Sequence, residues 1–298
     1  MGLEGNIITG KWNKNSYKII RLIGKGGIAR VYKVLDIKQK KYYALKISED
    51  LHSITKESNM LDKLREIKAL PIAVELDDYE YQGKVYYFIV LEYINGENFK
   101  EYTLKNRLNL KEIVGIVIII GTMLSELHNK GYIFGDLKPE NVMIDKRNGE
   151  IKVVDLGGIV PMGSSIKEFT PLYDRARWDM GIRRADGKYD MFSLCMMFVN
   201  LNFRNTEKLF NMSLPDIINE LRRQKLNKKV VKLIERGLYQ RKIEFPEFIK
   251  ELKKIYKTLR SEKKIRYNDR VNLIVNTFFV TSLLSFCIIL ILVIGSNF

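Results

Sequence analysis

The first third of the chain has the pattern of several short strands with one helix among them. Tyr17–Leu22 and Tyr42–Lys46 are apolar runs of strand length, and Val85–Tyr93 is apolar enough for a buried strand. Ser53–Ile67 instead repeats its apolar residues at helical spacing. Asp77–Gly83 is polar and ends in Gln-Gly, which predicts a hairpin turn before the last of these strands.

The middle of the chain is mainly helical in pattern. Leu110–Lys130 is apolar along most of its length, but its unbroken apolar run is shorter than the ~20 residues that cross a bilayer, so it predicts a buried central helix. Ile151–Val154 has the length and composition of a short strand. Val230–Leu238 and Phe245–Ile255 keep apolar residues at helical spacing with basic outer faces.

The C-terminal end has a different pattern. Leu273–Ile294 carries no charge, and ~22 residues at about 1.5 Å each span roughly 33 Å, enough for the hydrocarbon core of a membrane. A stretch rich in Lys and Arg, Lys250–Arg270, comes directly before it. Because Lys and Arg stay on the cytoplasmic side, the pattern predicts a single-pass protein of the cell membrane, with the bulk of the chain cytoplasmic and the C-terminus outside.

Composition agrees with a globular, intracellular protein. The 298 residues are 46% hydrophobic and 29% charged, which excludes a disordered chain. The two cysteines form no disulfide or zinc spacing, and the N-terminus has no pattern of a signal peptide. The net charge of +16 predicts an anionic partner. We favour anionic lipid bound by the basic stretch, with nucleic acid acting as a regulator as the alternative.

Polar residues with a common chemistry cluster between Tyr132 and Gly158. Asp136, Lys138 and Asn141 lie in the sequence DLKPEN, and Asp155 follows the short predicted strand and precedes two glycines. Phosphoryl transfer needs a carboxylate for the attacking hydroxyl, a cation for the phosphoryl oxygens, and amide and carboxylate oxygens for Mg²⁺. These residues supply each of these groups.

A glycine-rich turn and a lysine near the N-terminus fit the same chemistry. IGKGGIARV, residues 23–31, stands between two predicted strands, and glycines there let the backbone close over phosphates. Lys46 ends the next predicted strand and offers a cation to phosphate oxygens.

The order and spacing of these motifs resemble the eukaryotic-like (Hanks-type) bacterial serine/threonine protein kinases, over about 17–256, here with a C-terminal transmembrane anchor. The resemblance implies an α+β, bilobal protein kinase fold with a small β-rich N-lobe and a larger helical C-lobe. It implies MgATP as the phosphoryl donor, with Mn²⁺ as a substitute for Mg²⁺, and Ser or Thr of proteins, with autophosphorylation, as acceptors.

Roles for individual residues follow from the resemblance. Asp136 would accept the hydroxyl proton and Lys138 would stabilise the γ-phosphoryl group. Lys46, held by Glu57, with Glu66 as the weaker competitor for that pairing, would bind the ATP phosphates. The metal would be held by Asn141 and Asp155. The predicted ATP-binding residues are Ile23, Gly24, Lys25, Gly26, Gly27, Ala29, Val31, Ala44, Lys46, Leu91, Glu92 and Ile94.

A segment after Gly158 resembles an activation loop. Its hydroxyls at Ser164, Ser165 and Thr170 are candidate phosphorylation sites. Further along, Asp190 stands where the family's Asp ties down the catalytic loop from below.

The chain also departs from the family pattern. Phe134-Gly135 replaces the usual His-Arg before the catalytic Asp, Ala29 replaces the third glycine, and Arg175-Ala-Arg177 stands where Ala-Pro-Glu is expected. Loss of the arginine at position 135 removes the main anchor for a loop phosphate. These departures leave two alternatives open: a nucleotide-binding pseudokinase scaffold at the membrane, and a kinase of small molecules.

The predicted domain organisation follows from these boundaries. It consists of an N-terminal extension (1–16), a protein kinase domain (17–256), a basic juxtamembrane segment (257–271), a transmembrane helix (272–294) and a short extracytoplasmic tail (295–298).

Overall fold

The computed structural model describes residues 3–203 and 205–259. A six-stranded antiparallel sheet and one helix, α1 (Leu51–Lys63), form a small lobe. The strands lie in the order β1-β2-β3-β4-β6-β5. Their bounds are β1 (Ile7–Thr9), β2 (Ser16–Lys25), β3 (Ala29–Asp36), β4 (Tyr42–Ser48), β5 (Ala73–Tyr81) and β6 (Lys84–Glu92).

A larger, mainly helical lobe follows, so the predicted α+β bilobal architecture is confirmed. Its helices are α2 (Phe99–Lys105), α3 (Leu110–Asn129), α4 (Gly187–Phe203), α5 (Thr206–Phe210), α6 (Leu214–Arg223), α7 (Lys228–Leu238) and α8 (245–259). Its short strands are β7 (Gly96–Asn98), β8 (Tyr132–Ile133), β9 (Val142–Asp145), β10 (Ile151–Val153) and β11 (Val160–Pro161). By its internal contacts the chain divides at Leu252, and the described residues after that point, 253–259, are helical.

Alternation along the strands builds the core of the small lobe. Tyr17, Tyr43 and Phe88 point to the same face of the sheet and meet edge to face, with ring centroids 6.3–6.5 Å apart. Such aromatic pairs add to the free energy gained by burying their area. The sheet that carries Lys46 on β4 is therefore backed by a packed aromatic layer.

The segment before Tyr17 is integrated into the small lobe. Leu3 and Ile8 are fully buried in its core, and β1 pairs with β2. The chain then crosses to the opposite edge of the sheet, where the Lys11 N–H donates to the Asp78 carbonyl over 2.9 Å. The predicted N-terminal extension thus joins the two edge strands of the sheet.

One carboxylate holds this crossing in place. Asp77, which is 2% exposed, accepts hydrogen bonds from the backbone N–H groups of Trp12 at 2.9 Å and Asn13 at 2.7 Å. Its burial would raise the pKa of the carboxyl, but these N–H donors outweigh that effect and lower it. Charge-assisted bonds of this kind contribute roughly 1.5–3 kcal/mol each. We call residues 10–15 with Asp77 the N-terminal clasp.

The large lobe is organised around two adjacent helices. The predicted central helix is α3, which begins with a capping box between Asn109 and Glu112 and is buried along one side. Helix α4 packs against α3 and is buried at almost every position. The loops between β8 and α4 pack on these two helices.

The structure corrects two sequence predictions. Asp77–Tyr81 belongs to strand β5, and the hairpin turn is confined to Gln82 and Gly83, both at positive φ. Helix α1 begins at Leu51 and ends at Lys63, earlier than the predicted Ser53–Ile67, because Asp50 caps its first turn. The alternating polar residues of β5 face the clasp, and this long-range pairing overrides the local turn signal.

Within the described ranges, no helix has the length and hydrophobicity needed to cross a bilayer. The predicted transmembrane helix, 272–294, and most of the basic juxtamembrane segment lie outside the described residues.

Candidate active site

Lys46 lies between two carboxylates in the cleft between the lobes. Strand β4 carries it, and its Nζ is 2.6 Å from Glu57 Oε2 on α1 and 3.1 Å from Asp155 Oδ1 after β10. The competing candidate Glu66 instead pairs with Lys130. Burial would lower the pKa of Lys46, but the two carboxylates outweigh it and raise it, so the amine stays charged.

Asp155 has an unusual backbone conformation at the end of its strand. Its φ is +64°, in the left-handed region where Asp is tolerated better than most residues. Its place in the cleft would raise the pKa of the carboxyl, but Lys46 and the Gly157 N–H outweigh this and lower it. Asp155 is therefore ionised and aimed into the cleft.

A cavity of about 630 Å³ fills the cleft, a volume typical of small-molecule sites. Glu57, Asn141 and Asp155 are on its wall. The residues predicted to contact ATP all line it: Ile23, Gly24, Lys25, Gly26, Gly27, Ala29, Val31, Ala44, Lys46, Leu91, Glu92 and Ile94. The prediction missed Met143 and Val154, whose only signal was their position in the apolar runs beside Asn141 and Asp155.

The glycine-rich turn forms the hairpin between β2 and β3. It is closed by a bond from the Gly26 N–H to the Ala29 carbonyl over 2.9 Å. A side chain at Gly27 would meet nothing within 4 Å, so the turn is open toward the cavity. Ala29 itself is buried on β3, where a methyl group is accommodated.

Asp136 and Lys138 lie at the edge of the cleft with the hydroxyl of Thr170. Lys138 Nζ donates to Asp136 Oδ2 at 2.5 Å and to Thr170 Oγ1 at 3.1 Å. Thr170 Oγ1 donates to Asp136 Oδ1 at 2.7 Å. The side-chain amide of Asn141 donates to the Asp136 carbonyl at 2.9 Å, which fixes the loop. We call Asp136, Lys138 and Thr170 the catalytic-loop cluster.

Asn141 and Asp155 fit a magnesium ion shared with phosphates. Because the amide nitrogen of Asn141 is used by the Asp136 carbonyl, its oxygen is left as the ligand atom. Asp155 adds an ionised carboxylate on the same cavity. Mg²⁺ takes few protein oxygens and completes its shell with phosphate and water, which matches this pair of donors.

Asp190 on α4 supports the loop from below. This fully buried carboxylate accepts the N–H groups of Phe134 at 2.9 Å and Gly135 at 3.0 Å. His128, at the end of α3, places Nε2 2.8 Å from the same carboxylate. His128 is therefore a structural residue, and Asp190 joins the two central helices to the catalytic-loop cluster.

Comparison with known proteins agrees with this geometry. The model of the protein kinase domain family matches residues 17–270. The chain belongs to the protein kinase domain family. The predicted Hanks-type resemblance is confirmed at this level, and the match begins two residues after residues 10–15 of the N-terminal clasp.

Several curated bacterial serine/threonine kinases are similar to this kinase domain. Serine/threonine-protein kinase YabT of Bacillus subtilis is 36% identical over 202 residues, 66% of this chain and 58% of that protein. PrkC of the same organism is 32% identical over 168 residues, 53% of this chain and 25% of PrkC. A probable serine/threonine-protein kinase of Clostridium perfringens is 28% identical over 199 residues, 62% of this chain and 28% of that protein. The chain thus spans less than two thirds of each of these relatives.

Gly135, the departure from the family's His-Arg-Asp, has a geometric reason in this kinase domain. Its φ is +81°, and a Cβ added there would lie 2.7 Å from the Gly158 carbonyl oxygen and 3.2 Å from Ile166 Cδ1. Gly158 and Ile166, at the start of the segment that resembles an activation loop (here called the activation segment), occupy the space where the Cβ of an arginine would lie. The loop is therefore held by packing at this point.

Two local ion pairs stand where the Ala-Pro-Glu motif is missing. Arg175, 4% exposed, forms a two-pronged pair with Asp186, with both N···O distances at 2.7–2.8 Å. Arg183 Nε donates to the fully buried Asp174 at 2.9 Å. Both pairs connect the two halves of the segment after Thr170, so this segment is internally cross-linked without the missing motif.

The three candidate phosphorylation sites occupy different positions. Ser165 is exposed, and Ser164 is partly exposed. Thr170 is bonded to Asp136 and Lys138, where a phosphate would set about two negative charges beside a carboxylate. Phosphorylation of each stays a prediction, and on Thr170 it would oppose activity.

Proposed function

We propose that this chain is a serine/threonine protein kinase that moves the γ-phosphoryl group of ATP onto protein hydroxyls, including its own. The catalytic-loop cluster is the observation that carries the proposal. It sets a carboxylate, an amine and a threonine hydroxyl within 3.1 Å of one another, and Asn141, which lines the nucleotide-sized cavity, donates to the Asp136 carbonyl. The names of the similar bacterial kinases agree with it.

The chemistry assigns a part to each residue. The acceptor hydroxyl oxygen attacks the γ-phosphorus, the bond from that phosphorus to the ADP oxygen breaks, and the hydroxyl proton passes to Asp136. Lys138 stabilises the charge on the moving group. Lys46, oriented by Glu57, holds the phosphates. Mg²⁺ on Asn141 and Asp155 would neutralise phosphate charge.

Intact-mass spectrometry of the full chain in lipid vesicles, after incubation with MgATP, tests this proposal. We expect mass steps of one phosphate, which Asp155→Asn should remove. A protein that binds MgATP without any transfer would instead be the scaffold. Phosphorylation of metabolites alone would identify a small-molecule kinase.

Activity is expected without phosphorylation of Ser164 or Ser165. The activation segment is held by the Asp174–Arg183 pair and by packing at Gly135. We therefore expect Ser164→Ala/Ser165→Ala to keep the initial rate on a peptide substrate within about twofold of wild type, as for surface changes. Both proteins should first be treated with phosphatase. A fall in this rate of tenfold or more that added lipid does not reverse would show that activity requires a phosphate on Ser164 or Ser165.

We also propose that residues 272–294 anchor the kinase in the cell membrane with the kinase domain in the cytoplasm. The uncharged 22-residue stretch and its basic flank support this proposal. In flotation assays, the full chain should float with neutral vesicles at high salt. A chain ending at residue 271 should float only with anionic vesicles at low salt. Equal flotation of the two chains would contradict the proposed anchor. In a separate gel-shift assay, a retarded duplex DNA band would favour nucleic acid as the ligand of the basic segment.

A further inference from the structure

Lys152, on strand β10, is a buried lysine that the mechanism does not use. It is 7% exposed, and its Nζ donates to the Lys68 carbonyl at 3.1 Å and to Glu92 Oε2 at 3.2 Å. Lysine is rarely buried unless its charge is paired. Here the charge is shared between one carboxylate and one backbone carbonyl.

These contacts join the three elements that carry the site. Lys68 lies in the turn after α1, the helix of Glu57. Glu92 ends β6 and lines the cavity at the connection between the lobes. We call this connection, residues 92–95, the hinge. Lys152 itself stands three residues before Asp155. One amine therefore links the turn after α1 to the hinge end of the cleft.

The outer side of the hinge is fixed as well. Arg147 donates to the Tyr93 carbonyl at 3.1 Å and is paired with the buried Asp145. Its guanidinium lies 3.9 Å from Glu92 Oε1. The Glu92 carboxylate is thus enclosed by two cations of the β9–β10 hairpin, which ties the hinge to the large lobe.

Only part of this connection depends on the Lys152 side chain. The Val153 N–H donates to the Ala69 carbonyl at 2.7 Å, so the joint between β10 and the end of α1 has a backbone bond of its own. The hinge has a backbone bond to the turn between β9 and β10, from the Lys146 N–H to the Asn95 carbonyl at 2.9 Å, but none to β10 itself among the described residues. Loss of the amine would therefore loosen Glu92 while leaving the Lys46–Glu57 pair in place.

We propose that Lys152 is a positioning residue for nucleotide binding, which holds the hinge against β10 through Glu92. Its ligand, adenine nucleotide, rests on the proposed function. The network exists together with the closed Lys46–Glu57 pair, so it stabilises the assembled cleft. Removing it should weaken nucleotide binding and spare the transfer step.

The test is Lys152→Met in the full chain, since methionine keeps an unbranched side chain and removes the charge. We expect the KM for ATP and the Kd of MgADP to rise about five- to tenfold, the size of effect seen when one residue of a hydrogen-bonded network is removed. The kcat should stay within about twofold of wild type. Lys84→Met is the matched control. It makes the same change on β6, where the amine is 65% exposed and 3.8 Å from its carboxylate, and it should leave both constants unchanged.

A second variant separates positioning from simple structural support. Glu92→Gln should raise the Kd of MgADP to a similar extent, and the double variant should bind no more weakly than either single variant. Additive losses, or a fall in Tm with an unchanged Kd, would overturn the proposal. Because MgADP binding needs no transfer, an inactive wild type would contradict the proposed kinase activity and still leave the role of Lys152 measurable.

Discussion

Asp136→Asn should lower kcat by about 10²–10⁴-fold, the range lost with a general base. The amide keeps the shape of the carboxylate, and Lys138 and Thr170 can still bond to it. It cannot accept the hydroxyl proton. Asp136 does not line the nucleotide cavity, so the Kd of MgATP should stay within about threefold, as for an interaction used only in the transition state. The rate of peptide phosphorylation and calorimetric nucleotide binding measure the two effects.

Asp155→Asn serves as the contrast for that experiment. It removes a carboxylate that lines the cavity and pairs with Lys46, so it should weaken MgATP binding as well as turnover. An Asp136→Asn protein with wild-type turnover would remove the catalytic assignment. Equal loss of nucleotide binding in both variants would place Asp136 in binding instead of transfer.

Asp190→Asn should be the most damaging change outside the cleft. Its carboxylate is fully buried, receives two backbone N–H groups and faces the partly buried His128. An amide there presents an NH₂ group to at least one of these donors, and a buried unpaired donor costs about 1–3 kcal/mol. For a domain of this size we expect a fall in Tm of about 3–10 °C. We also expect kcat to fall by about tenfold, because the backbone before Asp136 loses its support.

Asp62→Asn on α1 is the matched control, because that side chain is exposed. It should change Tm by less than about 2 °C, as surface substitutions do. If Asp190→Asn kept both Tm and kcat, the loop would be fixed by the remaining contacts, and the carboxylate would have no supporting role.

Much of the cleft could be predicted because its residues stand at the ends of locally defined elements. Lys46 lies two residues before the end of β4, Asp155 comes two residues after β10, and helical spacing placed Glu57 on the same helix as the buried Met60 and Leu61. Periodicity did not choose between Glu57 and Glu66, because both lie within the predicted helix Ser53–Ile67. The structure places Glu57 beside Lys46 and Glu66 on the surface.

Sequence reasoning missed two kinds of contact. One kind joins residues far apart in the chain, and the other involves a residue that replaces a motif of the family. Nothing local in Lys152 distinguishes it from the exposed lysines around it, because its burial depends on Glu92, 60 residues away. Arg175 lies in the segment where Ala-Pro-Glu was expected, and its partner Asp186 gave no periodic signal. Periodicity describes one element at a time, so it cannot show pairs formed between loops.

The predicted turn at Asp77 failed for the same reason. Acidic residues in succession favour turns in isolation, yet Asp77 is buried by backbone donors 64 and 65 residues earlier in the chain. Tertiary contacts decided the local structure there, as they often do for strands.

The N-terminal clasp also sets an order on synthesis at the ribosome. Residues 10–15 emerge first, but their acceptors on β5 follow about 65 residues later. At about 5–20 residues per second this is a delay of roughly 3–13 s, during which Leu3 and Ile8 have no complete sheet to bury them. The small lobe can therefore close only after β5 is made, and until then the nascent chain exposes Leu3 and Ile8 to chaperones and proteases.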